Sequence, residues 1–159
     1  MTLTQQLQQE LSHLAHFSSG EHSLSVVKGP LELSCQLVAL DSLACAFTRL
    51  SLRAGRLAAM TSEELKLTAQ RLSARLTYLL EPISPIEVDA HGCVVQMRSN
   101  PPHKETDRTS YYELLASRAG ELSLARYARV SGQSREVIAA HVTREVLVRL
   151  VGDFCASVT

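Results

Sequence analysis

A chain of 159 residues with 45% hydrophobic and 20% charged side chains has ordinary globular composition: enough length to bury a core, and too apolar for disorder. Its 16 basic and 16 acidic residues cancel, so bulk charge advertises no strongly charged partner, and nucleic acid is disfavoured. No apolar run approaches the roughly 20 residues that cross a bilayer. The opening Met1-Thr2-Leu3-Thr4 holds neither a basic stretch nor an apolar one, so no secretory signal is expected. Cys35, Cys45, Cys93 and Cys155 show no CxxC and no ligand-like spacing. They read as reduced thiols of a cytoplasmic protein.

In chain order, the first element is a helix. Leu3, Leu7, Leu11, Leu14 and Phe17 recur at spacings of four and three, forming one apolar stripe, and Ser18-Ser19-Gly20 ends it. Three segments of period two follow. Leu24 and Val26 alternate with polar neighbours up to Gly29-Pro30. Leu31, Leu33, Cys35, Leu37 and Ala39 then alternate up to Asp41-Ser42. With Asp41-Ser42 as a two-residue loop, Leu40 would face Leu43, Leu37 would face Ala46, and Leu33 would face Leu50. No bulge is required in that register, and one face carries Leu31, Leu33, Cys35, Leu37, Leu50 and Leu52. The other face is polar at the open end, with Glu32, Gln36, Arg49 and Arg53. At the tip, however, it carries Val38, Leu40, Leu43, Cys45 and Phe47, and something else must cover these five.

Thr61-Ser62-Glu63-Glu64 is a capping box opening a second helix, whose stripe is Leu65, Ala69, Leu72, Leu76 and Leu79 and which Pro82 ends. Two further hairpins are expected. In the first, Ile86, Val88 and Ala90 pair across Asp89-Ala90-His91-Gly92 with Cys93, Val95 and Met97. In the second, Thr109–Arg118 and Glu121–Val130 fold about Ala119-Gly120, setting Leu115 opposite Leu124, Glu113 opposite Arg126 and Tyr112 opposite Tyr127. The segment between them, 99–108, reads as a loop. The last helix is expected after Ser134, an N-cap with Glu136 in the first turn, and it carries Ile138, Val142, Val146, Leu150 and Phe154.

Candidate chemistry is sparse. Glu10, His13 and His16 share one side of the first helix at spacings of three. A metal site needs three or four converging ligands, so polar helix surface is the better reading and no metal or cofactor is expected. The 99–108 loop gathers His103, Asp107 and Arg108, which with Arg126 on the neighbouring sheet make the candidate small-molecule site; no nucleophile accompanies them. From Arg98 to Arg135 seven basic residues outnumber four acidic ones, and Tyr111, Tyr112 and Tyr127 could stack on bases, but no glycine-aromatic signature accompanies them. No phosphate-binding glycine loop and no GxSxG elbow is present.

The expectation is a single α+β domain, 1–159. A two-layer antiparallel sheet of hairpins would have three amphipathic helices on one face, in the order α-β-β-β-α-β-β-β-β-α. In element order this resembles the small bacterial type III secretion chaperones, which are dimers that bind extended segments of their clients. The resemblance covers most of the chain and implies a homodimer with a protein or peptide partner; no residue roles are transferred from it. The apolar tip Val38, Leu40, Leu43, Cys45 and Phe47 independently points to a second copy as its cover. The function expected is a non-enzymatic binding or adaptor domain. The alternative is a small-molecule binding protein or enzyme, with its site at the 99–108 loop and the sheet.

Overall fold

The structure, a computed structural model, describes every residue except Ala90 and Gly92. α1 (Leu3–His13) opens with a capping box: the Thr2 hydroxyl accepts from the Gln5 amide, and the Gln5 side chain returns to the Thr2 amide. β1 (His22–Lys28), β2 (Leu31–Leu40) and β3 (Ala44–Ala54) follow. Next come a short α2 (Gly55–Ala58) and α3 (Ser62–Arg75), which tightens into a 3₁₀ turn at Leu76–Leu79. Seven strands succeed it: β4 (Ile83–Val88), β5 (Val94–Ser99), β6 (His103–Lys104), β7 (Arg108–Ser117), β8 (Glu121–Val130), β9 (Glu136–Ile138) and β10 (Ala140–Thr143). α4 (Arg144–Val158) closes the chain.

The architecture is α+β: the described residues form ten strands in one antiparallel sheet and four helices. The main path runs β1-β2-β3-β8-β7-β5-β4. β3 and β8 pair only from Leu50–Arg53 to Glu121–Leu124, then part. β10 takes the freed edge of β3, and β9 the freed edge of β8. The inner face of the sheet supplies Leu33, Leu50, Leu52, Leu114, Leu122 and Leu124 to one buried cluster. The helices add Leu7, Leu11, Leu72, Leu150 and Phe154 to the same cluster. Among the described residues no helix is long and apolar enough to cross a membrane.

Several registers and boundaries differ from the sequence expectation, three of them with consequences for the site and the hairpin tip. The first is the β2–β3 hairpin. Asp41 does not sit in a two-residue loop; its carboxylate accepts from the amides of Leu43 and Ala44, and pairing resumes at Leu40 with Cys45. Val38 on β2 and Thr48 on β3 then have no opposite partner, so two bulges interrupt a ladder expected to be regular. Each extra residue flips the strand's phase. Leu37 and Phe47 become partners, and Leu40, Cys45 and Phe47 all join the core cluster.

The second is the β7–β8 hairpin. A two-residue loop at Ala119-Gly120 would demand a positive φ at its first central residue, which alanine resists. The chain instead uses three residues, Arg118 to Gly120, with only Gly120 at positive φ (104°) and its amide bonded to the Ser117 carbonyl. The ladder slips by one. Leu114 faces Leu124, Tyr112 faces Arg126, Glu113 faces Ala125, and Tyr111 faces Tyr127.

The third is the last helix, which begins at Arg144 rather than after Ser134. Thr143 is its N-cap, accepting from the Val146 amide at 3.0 Å. The preceding residues include the β-branched Val137, Ile138, Val142 and Thr143, and they pair with the free edges of β8 and β3. Similarly, α1 stops at His13, and Phe17 makes a two-bond bridge to Leu40 instead of extending the helix. Part of the 99–108 segment, expected as a loop, pairs with β7 as β6. Of the expected β4–β5 pairs, Val88 does meet Val95, but a bulge leaves Ile86 exposed, and the pairing of Ala90 lies outside the described residues.

Candidate functional site

The one-residue slip between β7 and β8 decides which side chains share a face. The outer face, opposite the helices, carries three consecutive rows. Lys104, Thr109 and Arg129 form the first, Tyr111, Tyr127 and Val137 the second, and Arg98, Glu113 and Ala125 the third. Directly opposed residues on an antiparallel ladder lie within reach of one another, so these rows are contact networks.

Two of the tyrosine rings serve as platforms for arginines. The Arg98 guanidinium lies 4.9 Å from the Tyr111 ring centroid, and that of Arg135, from the β8–β9 connection, lies 3.8 Å from Tyr127. The rings themselves are 6.1 Å apart and tilted by 32°. Glu113 anchors the arrangement. Only 4% exposed, it accepts from Gln96 and, at 2.5 Å, from Arg135, whose guanidinium also reaches the Tyr111 hydroxyl at 3.4 Å. Partial burial works against the charge on Arg135, but the bonds to Tyr111 and Glu113 outweigh it and hold its pKa above the ordinary arginine value. Arg129 is fixed from the other side by donating to the Gln133 carbonyl at 3.1 Å. Gly132, at φ 80°, turns the connection back over the sheet.

The result is a concavity of about 380 Å³ lined by Arg98, Tyr111, Arg129, Gln133, Ser134 and Arg135. Its walls contain three guanidinium groups and no carboxylate. Guanidinium groups offer planar forks of donors, and convergent forks are the usual means of holding carboxylate or phosphate oxygens. The sequence names all of these cations and rings, but only as part of a diffuse basic excess. The expected register turned Tyr112 and Tyr127 to one side and so hid the grouping.

The residues singled out from sequence are distributed differently. His103 and Arg108 both approach Glu105, at 3.5 and 3.9 Å, on the exposed β6–β7 turn beside Asp107. Arg126 faces inward: it bonds Glu81 at 2.8 Å and the Ser110 hydroxyl at 3.0 Å, and it lies 4.5 Å over the Tyr112 ring. His103 and Arg108 thus share Glu105 while Arg126 is held by Glu81 and Ser110, and no hydrogen bond or ion pair among the described residues links Arg126 to the other three. Arg126 does not pair with Glu113 as the expected register required, because the slip puts them on opposite faces.

The tip of the β2–β3 hairpin is likewise resolved within one chain. Leu40, Cys45 and Phe47 are buried by β10, Phe17 and the core, Val38 is half-buried, and Leu43 alone is freely exposed, at 77%. This corrects the premise that all five require a second copy. A concavity of about 400 Å³ remains there, with His16, Asp41, Cys45 and His141 in its wall. Its chemistry is muted. The Asp41 carboxylate is occupied by backbone amides, Ala44 foremost, which lower its pKa. Burial pushes the Cys45 thiol up to about 11, opposite to the shift that makes a nucleophilic thiolate. Burial raises Cys35 and Cys155 as well. Among the described residues no three His, Cys, Asp or Glu side chains group as metal ligands. His16 lies beyond the end of α1, so it does not continue the helical spacing of Glu10 and His13.

No family model matches the chain, and no curated relative or solved structure matches it either.

Proposed function

We propose that the chain is a non-enzymatic binding domain that captures an anionic group on the outer face of its sheet. One observation carries this reading: three arginines from β5, β8 and the β8–β9 connection line a single concavity whose walls hold no carboxylate. Pre-positioning by tyrosine rings and by Glu113 means that little side-chain freedom is lost on binding, which favours affinity.

Two rival readings fit less well. Nucleic-acid binding by base stacking would need free aromatic faces, but arginines already lie over Tyr111 and Tyr127, and formal net charge is zero. Catalysis at the 99–108 segment would need His103, Asp107 and Arg126 to converge, and the Arg126 guanidinium is committed to Glu81 and to the Ser110 hydroxyl. The expected homodimer is not needed for this reading, because the site is built from one chain.

The test is thermal unfolding in chloride against sulfate or citrate at matched ionic strength. Ligand at about ten times its Kd should raise the midpoint by about 3–6 °C. The Arg98→Ala/Arg129→Ala double variant should unfold at the same temperature in all three salts. Equal midpoints for the unaltered chain would overturn the proposal.

A further inference from the structure

We infer that the ligand of this outer-face site is a phosphate monoester in its dianionic form; the inference rests on the anion-binding reading above. The first argument is a charge count. Arg98, Arg129 and Arg135 line the concavity, and Glu113 neutralises Arg135 through its 2.5 Å bond. Among the described residues neither Arg98 nor Arg129 has a carboxylate within 4 Å, whereas Arg135, the third cation of the concavity, does. Two positive charges are left over. A carboxylate balances one of them, whereas a phosphate monoester, at about −1.5 to −2 near neutral pH, balances both.

Donor geometry points the same way. The Arg98 guanidinium lies over the Tyr111 ring, and its buried Nε makes no hydrogen bond within the protein. Arg129 uses its Nε on Gln133 and keeps its terminal amino groups. The two guanidiniums come from different strands, so their donors converge from separate directions, which suits a tetrahedral oxyanion better than a planar one. Ser134 adds a hydroxyl at the rim. A volume of about 380 Å³ sits near the lower end of the range for small-molecule pockets. It admits one phosphoryl group with the side chain or small molecule that bears it.

The same chemistry could be presented by a phosphorylated side chain or by a free small metabolite, and one experiment separates them. The full chain is titrated calorimetrically, at constant ionic strength, with phenyl phosphate, its monoanionic methyl ester, and benzoate. Phenyl phosphate should bind at least about tenfold more tightly than either monoanion, as expected for an added pair of charge-assisted hydrogen bonds. Arg129→Ala, whose side chain is exposed, should abolish that preference without lowering the unfolding temperature, and Arg129→Lys should restore only part of it. A phosphoserine pentapeptide that outbinds phenyl phosphate supports the assignment with a phosphorylated protein as source. A weaker peptide supports it with a free metabolite as source. Equal affinities for phenyl phosphate and benzoate, both lost in Arg129→Ala, would overturn the phosphate assignment and leave the anion site standing. No binding by any of the three would overturn both.

Discussion

Among the charged side chains of this protein, geometry separates two kinds of ion pair. Arg126 and Glu81 are mostly buried, with side-chain exposures of 13% and 18%, and Arg126 also covers the Tyr112 ring. Burial raises the Tyr112 pKa, consistent with a site poor in water. Removing one partner strands the other charge out of water, so Arg126→Ala should destabilise the fold by about 3 kcal/mol. Arg49 and Glu121 pair on the outer face at 51% and 31% exposure, where water and salt screen them. Arg49→Ala should therefore cost less than about 1 kcal/mol. Urea unfolding of the two variants checks the contrast; equal losses would refute it. The sequence could not separate these residues. Both arginines stand in alternating strands, and only the slip of β8 against β7 turns Arg126 inward to Glu81 and leaves Glu113 outward to Arg135.

Elements were legible in the sequence where their signals are local. The Thr61 capping box forms as read, with the Thr61 hydroxyl accepting from the Glu64 amide, and Leu65, Ala69, Leu72, Leu76 and Leu79 are all buried. Element ends were legible only where no other strand competed. Val137, Ile138 and Val142 fit either a helical stripe or a strand, and the open edges of β8 and β3 settle the matter in favour of strands. The true start of α4 can be located by mutation. Thr143→Ala removes a cap and should cost about 1 kcal/mol. Ser134→Ala, in the β8–β9 connection, should change stability by less than about 0.5 kcal/mol. Chemical denaturation of both variants decides between the two boundaries, and a larger loss for Ser134→Ala would restore the longer helix.

At the scale of the whole molecule, the two bulges of the β2–β3 hairpin determine how much of its tip must be sealed by something outside the chain. With Leu40, Cys45 and Phe47 inside, the hairpin tip offers a partner essentially only Leu43. Two copies of one leucine, fully buried, contribute about 3–6 kcal/mol. The loss of translational and rotational freedom on association costs about 4–15 kcal/mol. Leu43→Asp should accordingly leave the sedimentation coefficient at micromolar concentration unchanged; a shift to a smaller species would show that the tip is an interface after all. Phe47→Asp is not a comparable probe, because it places a charge in the core and should unfold the chain.

By itself the sequence determined the α+β class, the two strong helices, the hairpins, and the inner stripe of Leu33, Leu50, Leu52 and their neighbours, because periodicity and caps are properties of adjacent residues. Tertiary structure alone decided the register of β7 against β8, the double bulge at Val38 and Thr48, and the strands β9 and β10 that fill the fork between β3 and β8. Those choices depend on loop closure and on which sheet edges remain unpaired, neither of which is written in any local window. The arginine–tyrosine site follows from them. Its residues come from positions 98 to 135 on four backbone segments, and they form one surface only once the register is set.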